Sequence, residues 1–144
     1  MPSAGDIITV PTVPGSRIAT EIETNASDAF TTEATLMTLS DAPVVQGRIY
    51  RVRWVGGLDA TDTAEVLLRL KADGTAFQLR RFPLVNVSGT TGVAAALEAE
   101  YTATATGAVT FTLTGQRLSG SGTCTMAATA TSPCYLHLDY IRDA

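Results

Sequence analysis

A two-residue period in side-chain character recurs along most of this chain, and nothing constrains its fold more. It is cleanest between two glycine sites, in Gly47-Arg48-Ile49-Tyr50-Arg51-Val52-Arg53-Trp54-Val55-Gly56-Gly57. On an extended strand Tyr50, Val52 and Trp54 share one side, and Ile49, Arg51 and Arg53 share the other. Bulky β-branched and aromatic residues suit a strand that packs one face into a core. The opposite face, with Arg51 and Arg53, must meet water, acidic groups or another chain. The stretch also holds the chain's single Trp, which makes it the natural centre of a core.

The same period extends in both directions. Residues 33–39 read as a strand closed by a turn at Ser40-Asp41-Ala42-Pro43. The Gly47 strand is expected to end at Gly56-Gly57, followed by a polar connection over 58–62. Ala64, Val66, Leu68 and Leu70 then alternate with Glu65, Leu67, Arg69 and Lys71. Asp73-Gly74 is a hairpin signal, because a type I′ turn needs positive φ at both central positions. The returning strand covers 77–84, and Pro83 means that it either stops there or lies at a sheet edge. Residues 87–92 read as a flexible loop.

In 93–103 helix competes with strand, since Ala and Glu favour helix. Strand is preferred because Val93, Ala95, Leu97, Ala99 and Tyr101 keep a spacing of two, and the Thr-rich continuation disfavours helix. Gly107 leads into Val109, Phe111 and Leu113, which alternate with threonines. A Ser/Gly loop over 119–122 precedes Cys124, Met126, Ala128 and Ala130. Cys134, Leu136, Leu138 and Tyr140 make the last strand. The pattern predicts an all-β chain of about eight strands, an antiparallel β-sandwich of jelly-roll type.

Residues 1–29 differ from the rest. Pro2, Pro11 and Pro14 punctuate them, and apolar residues come in short clusters such as Ile7-Ile8-Thr9-Val10. Proline removes backbone donors and discourages central-strand pairing. This predicts an extended N-terminal arm over 1–29, with a short strand around 17–23, ahead of a sandwich domain over 30–144. A frayed terminus is the plainer alternative. With 144 residues the chain has room for a single compact domain with a substantial core.

A net charge of −4 offers no general affinity for nucleic acid. No run approaches the length of apolar sequence that crosses a bilayer, and no secretory leader is expected. Charge is unevenly spread, however. Asp6, Glu21, Glu23, Asp28, Glu33 and Asp41 precede Gly47 with only Arg17 among them, whereas basic residues dominate from Arg48 to Arg81. The acidic front and basic middle either attract each other, within or between subunits, or stay separately solvated.

Groups able to carry chemistry are sparse. Glu98 and Glu100 share a strand face about 7 Å apart, and a glycosidase needs two carboxylates, but such pairs are common on solvated strands. His137 lies in the terminal strand with no Gly-x-Ser-x-Gly elbow before it. The Gly-rich loop at 87–92 lacks the lysine and helix of a phosphate loop. Asp59 and Asp62 with Thr61 and Thr63 fall short of a calcium ligand set. Cys124 and Cys134 lack zinc-ligand histidines and are expected to be buried free thiols rather than a disulfide. No catalytic, cofactor-binding or metal-binding residues are therefore expected. A basic patch from Arg80-Arg81 with Arg51, Arg53, Arg69 and Lys71 suits pairing with acidic segments better than nucleic acid, for want of interleaved aromatics.

Four stretches carry a resemblance. They are Ala29-Phe30-Thr31-Thr32-Glu33, Gly47 to Trp54, Ala99-Glu100-Tyr101-Thr102-Ala103-Thr104-Ala105-Thr106-Gly107, and the ending Gly122-Thr123-Cys124 with Pro133-Cys134-Tyr135-Leu136-His137-Leu138-Asp139-Tyr140-Ile141. Over residues 29–142 the chain resembles small virion structural proteins of tailed actinobacteriophages. The resemblance implies a non-enzymatic β-sandwich or jelly-roll protein, often trimeric, that decorates the capsid exterior or forms part of the tail. Its implied partners are further copies of itself and the major capsid protein of the same virion, made in the host cytoplasm. Ile7, Ile8 and Val10 of the arm, with Arg17, Arg51 and Arg53, are the residues expected to meet those partners. The alternative is a tail-associated fibre or receptor-binding domain that recognises host glycan. For that role Tyr50, Trp54, Phe77, Phe82, Tyr101 and Tyr135 are the candidate aromatics.

Overall fold

The computed structural model describes residues 13–84 and 93–144. Ile7, Ile8 and Val10, and the loop expected at 87–92, lie outside the described residues. Among the described residues there are nine strands and no helix. The strands are β1 (Arg17–Glu23), β2 (Ala34–Val44), β3 (Arg48–Ala60), β4 (Ala64–Ala72), β5 (Thr75–Leu84), β6 (Val93–Thr102), β7 (Gly107–Gly120), β8 (Cys124–Ala127) and β9 (Cys134–Asp143). β1, β9, β3 and β6 form one sheet in that order, and β2, β7, β4 and β5 form the second.

The pairing has a simple logic. β4 pairs with β5, β3 with β6, β2 with β7 and β1 with β9, all antiparallel. A long antiparallel ribbon closed by the β4–β5 hairpin has thus been folded across itself into two sheets, which is the jelly-roll arrangement. β8 starts where the alternation from Cys124 to Ala130 places a strand and ends earlier, at Ala127. It takes over on β3 at Gly57–Ala60, beyond the reach of β9, which pairs from Arg48 to Val55.

Alternation decides what is inside. Tyr50, Val52, Trp54 and Leu58 of β3, Val66, Leu68 and Leu70 of β4, Phe111 and Leu113 of β7, and Cys134, Leu136 and Leu138 of β9 are fully buried. Phe77, Tyr101 and Phe111 meet edge to face or tilted, with ring centroids 5.1–6.2 Å apart, and close the core between β5 and β6. The segment where helix competed is strand β6, paired to β3 along its whole length. Tertiary pairing overrides the propensity of Ala and Glu there.

Turn chemistry holds at Asp73-Gly74, where both residues have positive φ (46° and 85°) and β4 returns as β5. Asp73 also reaches β7, accepting from the Thr110 amide at 2.9 Å. β5 lies at a sheet edge, which accommodates Pro83.

Four expectations need correction. Ser40-Asp41-Ala42-Pro43 is not a turn, because β2 runs on to Val44. Its register to β7 shifts between Leu39 and Ala42, and Asp41 takes φ 51°. A bulge absorbs the one extra residue, Ser40 and Asp41 standing opposite Thr110 alone, and β2 is an edge strand that tolerates both the bulge and Pro43. Gly56-Gly57 does not end β3, and residues 58–60 continue the strand rather than forming a connection. A Cβ at Gly56 would lie 2.3 Å from Cys134 Sγ and 2.7 Å from the Trp54 indole, so the glycine makes room inside a strand. Residues 119–120 belong to β7, not to a loop. Finally, the strand expected within the arm is a full member of a sheet. β1 lies along β9, so the paired structure begins at Arg17 rather than at residue 30.

Candidate partner-binding face

The order β1-β9-β3-β6 lines up four strands whose outward residues form cross-strand rows. Register places Arg17, Asp139, Arg51 and Glu100 in one row, and Thr20, His137, Arg53 and Glu98 in the next. The third row is Ile22, Tyr135, Val55 and Ala96. The face therefore passes from charged to apolar in three steps, and Ile22, 52% exposed, stands at its apolar corner.

Charges on this face are matched across strands. Asp139, only 6% exposed, sits between Arg17 and Arg51. Arg17 Nε donates to Asp139 Oδ1, and Arg51 Nη2 lies 3.7 Å from Oδ2. Arg53 lies 3.7 Å from Glu98, and Arg142 makes a two-pronged contact with Glu100 at 2.9 and 3.1 Å. Opposite charges directly across a ladder stabilise the pairing and fix its register. The outer halves of Arg17, Arg51 and Arg53 remain open to solvent, each guanidinium side chain being roughly half exposed. Three of the six residues expected to meet partners thus share one face.

Sequence reasoning missed Asp139, His137, Tyr135 and Ile22 as members of this face. Their membership depends on β1 meeting β9, a pairing between opposite ends of the chain that no local pattern announces.

Of the two alternatives for the acidic front and basic middle, attraction occurs at Glu33, immediately before β2 of the second sheet. Its Oε2 lies 2.9 Å from Arg69 and 3.0 Å from Lys71, and Thr114 donates to it at 2.8 Å. The hydrogen bonds from Lys71 and Thr114 hold the Glu33 carboxyl below its ordinary range. A depressed carboxylate stabilises the fold above its unfolded pKa, and the contribution is lost as pH falls through the lower folded value. Glu33→Gln should cost about 0.5–1 kcal/mol in urea denaturation at neutral pH, since this pair is partly exposed. The cost should shrink in acid. An equal cost at both pH values would remove the charge from the explanation.

Arg51 and Arg53 pair instead with Asp139 and Glu98. The expected basic patch is dispersed: Arg81 lies 3.6 Å from Glu65, and Arg80 packs over the Phe82 ring at 5.2 Å.

The remaining groups tested for chemistry have local partners. Glu98 and Glu100 are each engaged by an arginine, as above. Asp59 accepts from the Ala60 amide at 2.8 Å, and Asp62 accepts from the Thr63 amide and the Ser121 hydroxyl. Those two bonds lower the Asp62 pKa. Among the described residues no three His, Cys, Asp or Glu side chains are grouped to hold a metal ion. Cys124 and Cys134 are free and buried, as expected, and burial raises both thiols. Of the candidate aromatics, Tyr50 and Trp54 are fully buried and Phe77, Phe82 and Tyr101 pack against the core. Tyr135 is on the outer face, stacked on His137 at 5.4 Å.

No protein-family model matches the chain, and no curated protein matches it in sequence. Among solved structures, the whole chain aligns with part of a chain in a structure of infectious bursal disease virus, Gt strain. The identity is 15% and the TM-score 0.29. This chain spans 41% of the length of that longer one.

Proposed function

We propose that this protein is a non-enzymatic structural component of a tailed-phage virion, a decoration protein bound to the exterior of the head as a homotrimer. Its partners are then its own copies and the major capsid protein. The observation that carries this reading is the position of Arg17, Arg51 and Arg53. They lie together on a sheet face that starts at β1, the first strand after the apolar cluster Ile7-Ile8-Thr9-Val10. An apolar arm followed directly by a face of half-open guanidiniums suits a clamp onto a protein shell. Modest contacts of this kind add up over many equivalent lattice sites.

The tail-associated, glycan-binding reading draws less support. It calls for exposed aromatics, and five of the six candidates are spent on the core. A catalytic reading draws less still, because the carboxylates it would need already hold arginines.

The test uses capsid shells assembled from the major capsid protein without this chain. Full-length protein should sediment with the shells and raise their melting temperature. Deleting residues 1–12, which leaves β1 in place, should preserve the β-sheet circular dichroism and abolish sedimentation with shells. Truncated protein that still binds would remove the arm from the mechanism. Full-length protein that ignores shells but binds host-surface glycan would move the chain to the tail. Light scattering should give three times the monomer mass, and a monomer would remove the trimer.

A further inference from the structure

His137 is the chain's single histidine, and the reading above gives it no role. Its ring lies where β1, β9 and β3 meet. Arg17 of β1 brings Nη1 to 2.8 Å from His137 Nδ1, and Thr20 of β1 brings its hydroxyl to 3.0 Å from the same atom. A guanidinium only donates, so Nδ1 must be the acceptor and the ring must be neutral, with its proton on Nε2. On the other side, β3 sets Arg53 opposite His137 in the register.

Among the described residues, charged groups stand around the ring on each element packed against it. β1 contributes Arg17, β3 contributes Arg51 and Arg53, and β9 contributes Asp139 and the stacked Tyr135. Asp139 is already shared by Arg17 and Arg51, and Glu98 of β6 answers Arg53. A positive charge on the imidazole would thus meet guanidiniums from both flanks, and the protonated Nδ1 would lose its hydrogen bond from Arg17.

We infer that His137 is a pH-sensitive latch for β1: its neutral ring holds the strand to the sheet edge, and its protonation loosens Arg17–Glu23 from β9. The anchoring is independent of any virion role. Burial, then the Arg17 charge, lowers the His137 pKa in the fold. With the folded value below the unfolded one, the latch is at full strength above the unfolded pKa of about 6.5 and weakens as pH falls below it. The weakening is complete only beneath the folded value. β1 is suited to such local release, being among the described residues an edge strand with one paired neighbour and an exposed outer corner at Ile22.

Hydrogen exchange of the full-length protein, followed by mass spectrometry from about pH 7.5 to about pH 5, reads the latch directly. After correction for the intrinsic pH dependence of exchange, protection over residues 17–23 should fall about tenfold for each pKa unit by which folding lowers His137. Residues 64–72 of β4, in the other sheet, should keep their protection. His137→Gln, whose carbonyl oxygen accepts the Arg17 hydrogen bond without titrating, should flatten the response of residues 17–23. Should that variant misfold, the imidazole of the wild-type protein can be titrated by NMR. A ring that titrates at or above the ordinary histidine value overturns the inference. So does a β1 segment that tracks β4 through the acid range, or one that still loosens in the glutamine variant.

Discussion

Replacing Trp54 with alanine should destabilise the protein by about 3–5 kcal/mol, the largest loss expected of any single truncation here. The indole is fully buried at the middle of β3, a strand flanked by both β9 and β6. Neighbours from two sheets cannot collapse into the space it leaves, so most of the cavity would persist. Its Nε1 is buried without a hydrogen-bond partner among the described residues. A buried N–H that has given up water for nothing costs free energy. Trp54→Phe removes that cost while losing only part of the volume, and should therefore be much milder than alanine. Urea denaturation with an unchanged m-value checks both variants. A near-neutral alanine variant would mean the ring is not part of the core.

Gly56→Ala should destabilise by about 1–3 kcal/mol, although alanine is ordinarily the better strand residue. The added methyl would fall against Cys134 Sγ and the Trp54 ring, both of them buried and hemmed in. Cys134→Ala in the same chain opens the space and should recover part of the loss. The double-mutant cycle gives a favourable coupling if the clash is the cause. Simple additivity would refer the cost to the backbone instead.

These two residues also show how far the sequence was legible. Trp54 announces itself through period and size, as do Leu68, Leu113 and Leu138, and all of them are buried as alternation requires. Gly56 was misread as a stop, because a glycine after a strand looks the same as a glycine beneath a neighbour's sulfur. Only the three-dimensional partner distinguishes them. Asp41 was misread for a related reason, since its positive φ serves a turn or a bulge equally well. The hairpin at Asp73-Gly74 was legible because both strands that it joins are adjacent in sequence. Of the partner-binding face, Arg51 and Arg53 were visible as an outward alternation on β3. Asp139, the buried carboxylate that holds Arg17 and Arg51 together, was not. It comes from the far end of the chain, and its selection is an outcome of sheet order.

The nesting of strand pairs bears on how the protein is made. β9 is the last of the nine strands to leave the ribosome, yet it occupies the interior of its sheet, between β1 and β3. Until it arrives, β1 has no partner in the sheet and one flank of β3 lies open, with Tyr50, Val52 and Trp54 short of cover. The β4–β5 hairpin can form early, whereas the outer pairs of the ribbon close over progressively longer loops and so more slowly. A nascent chain in that state presents bare strand edges to its neighbours, the condition that favours intermolecular pairing. Truncations that remove β9 should accordingly yield insoluble protein rather than a smaller soluble sandwich. Crowded synthesis would select for mutual capture between copies unless folding outruns it.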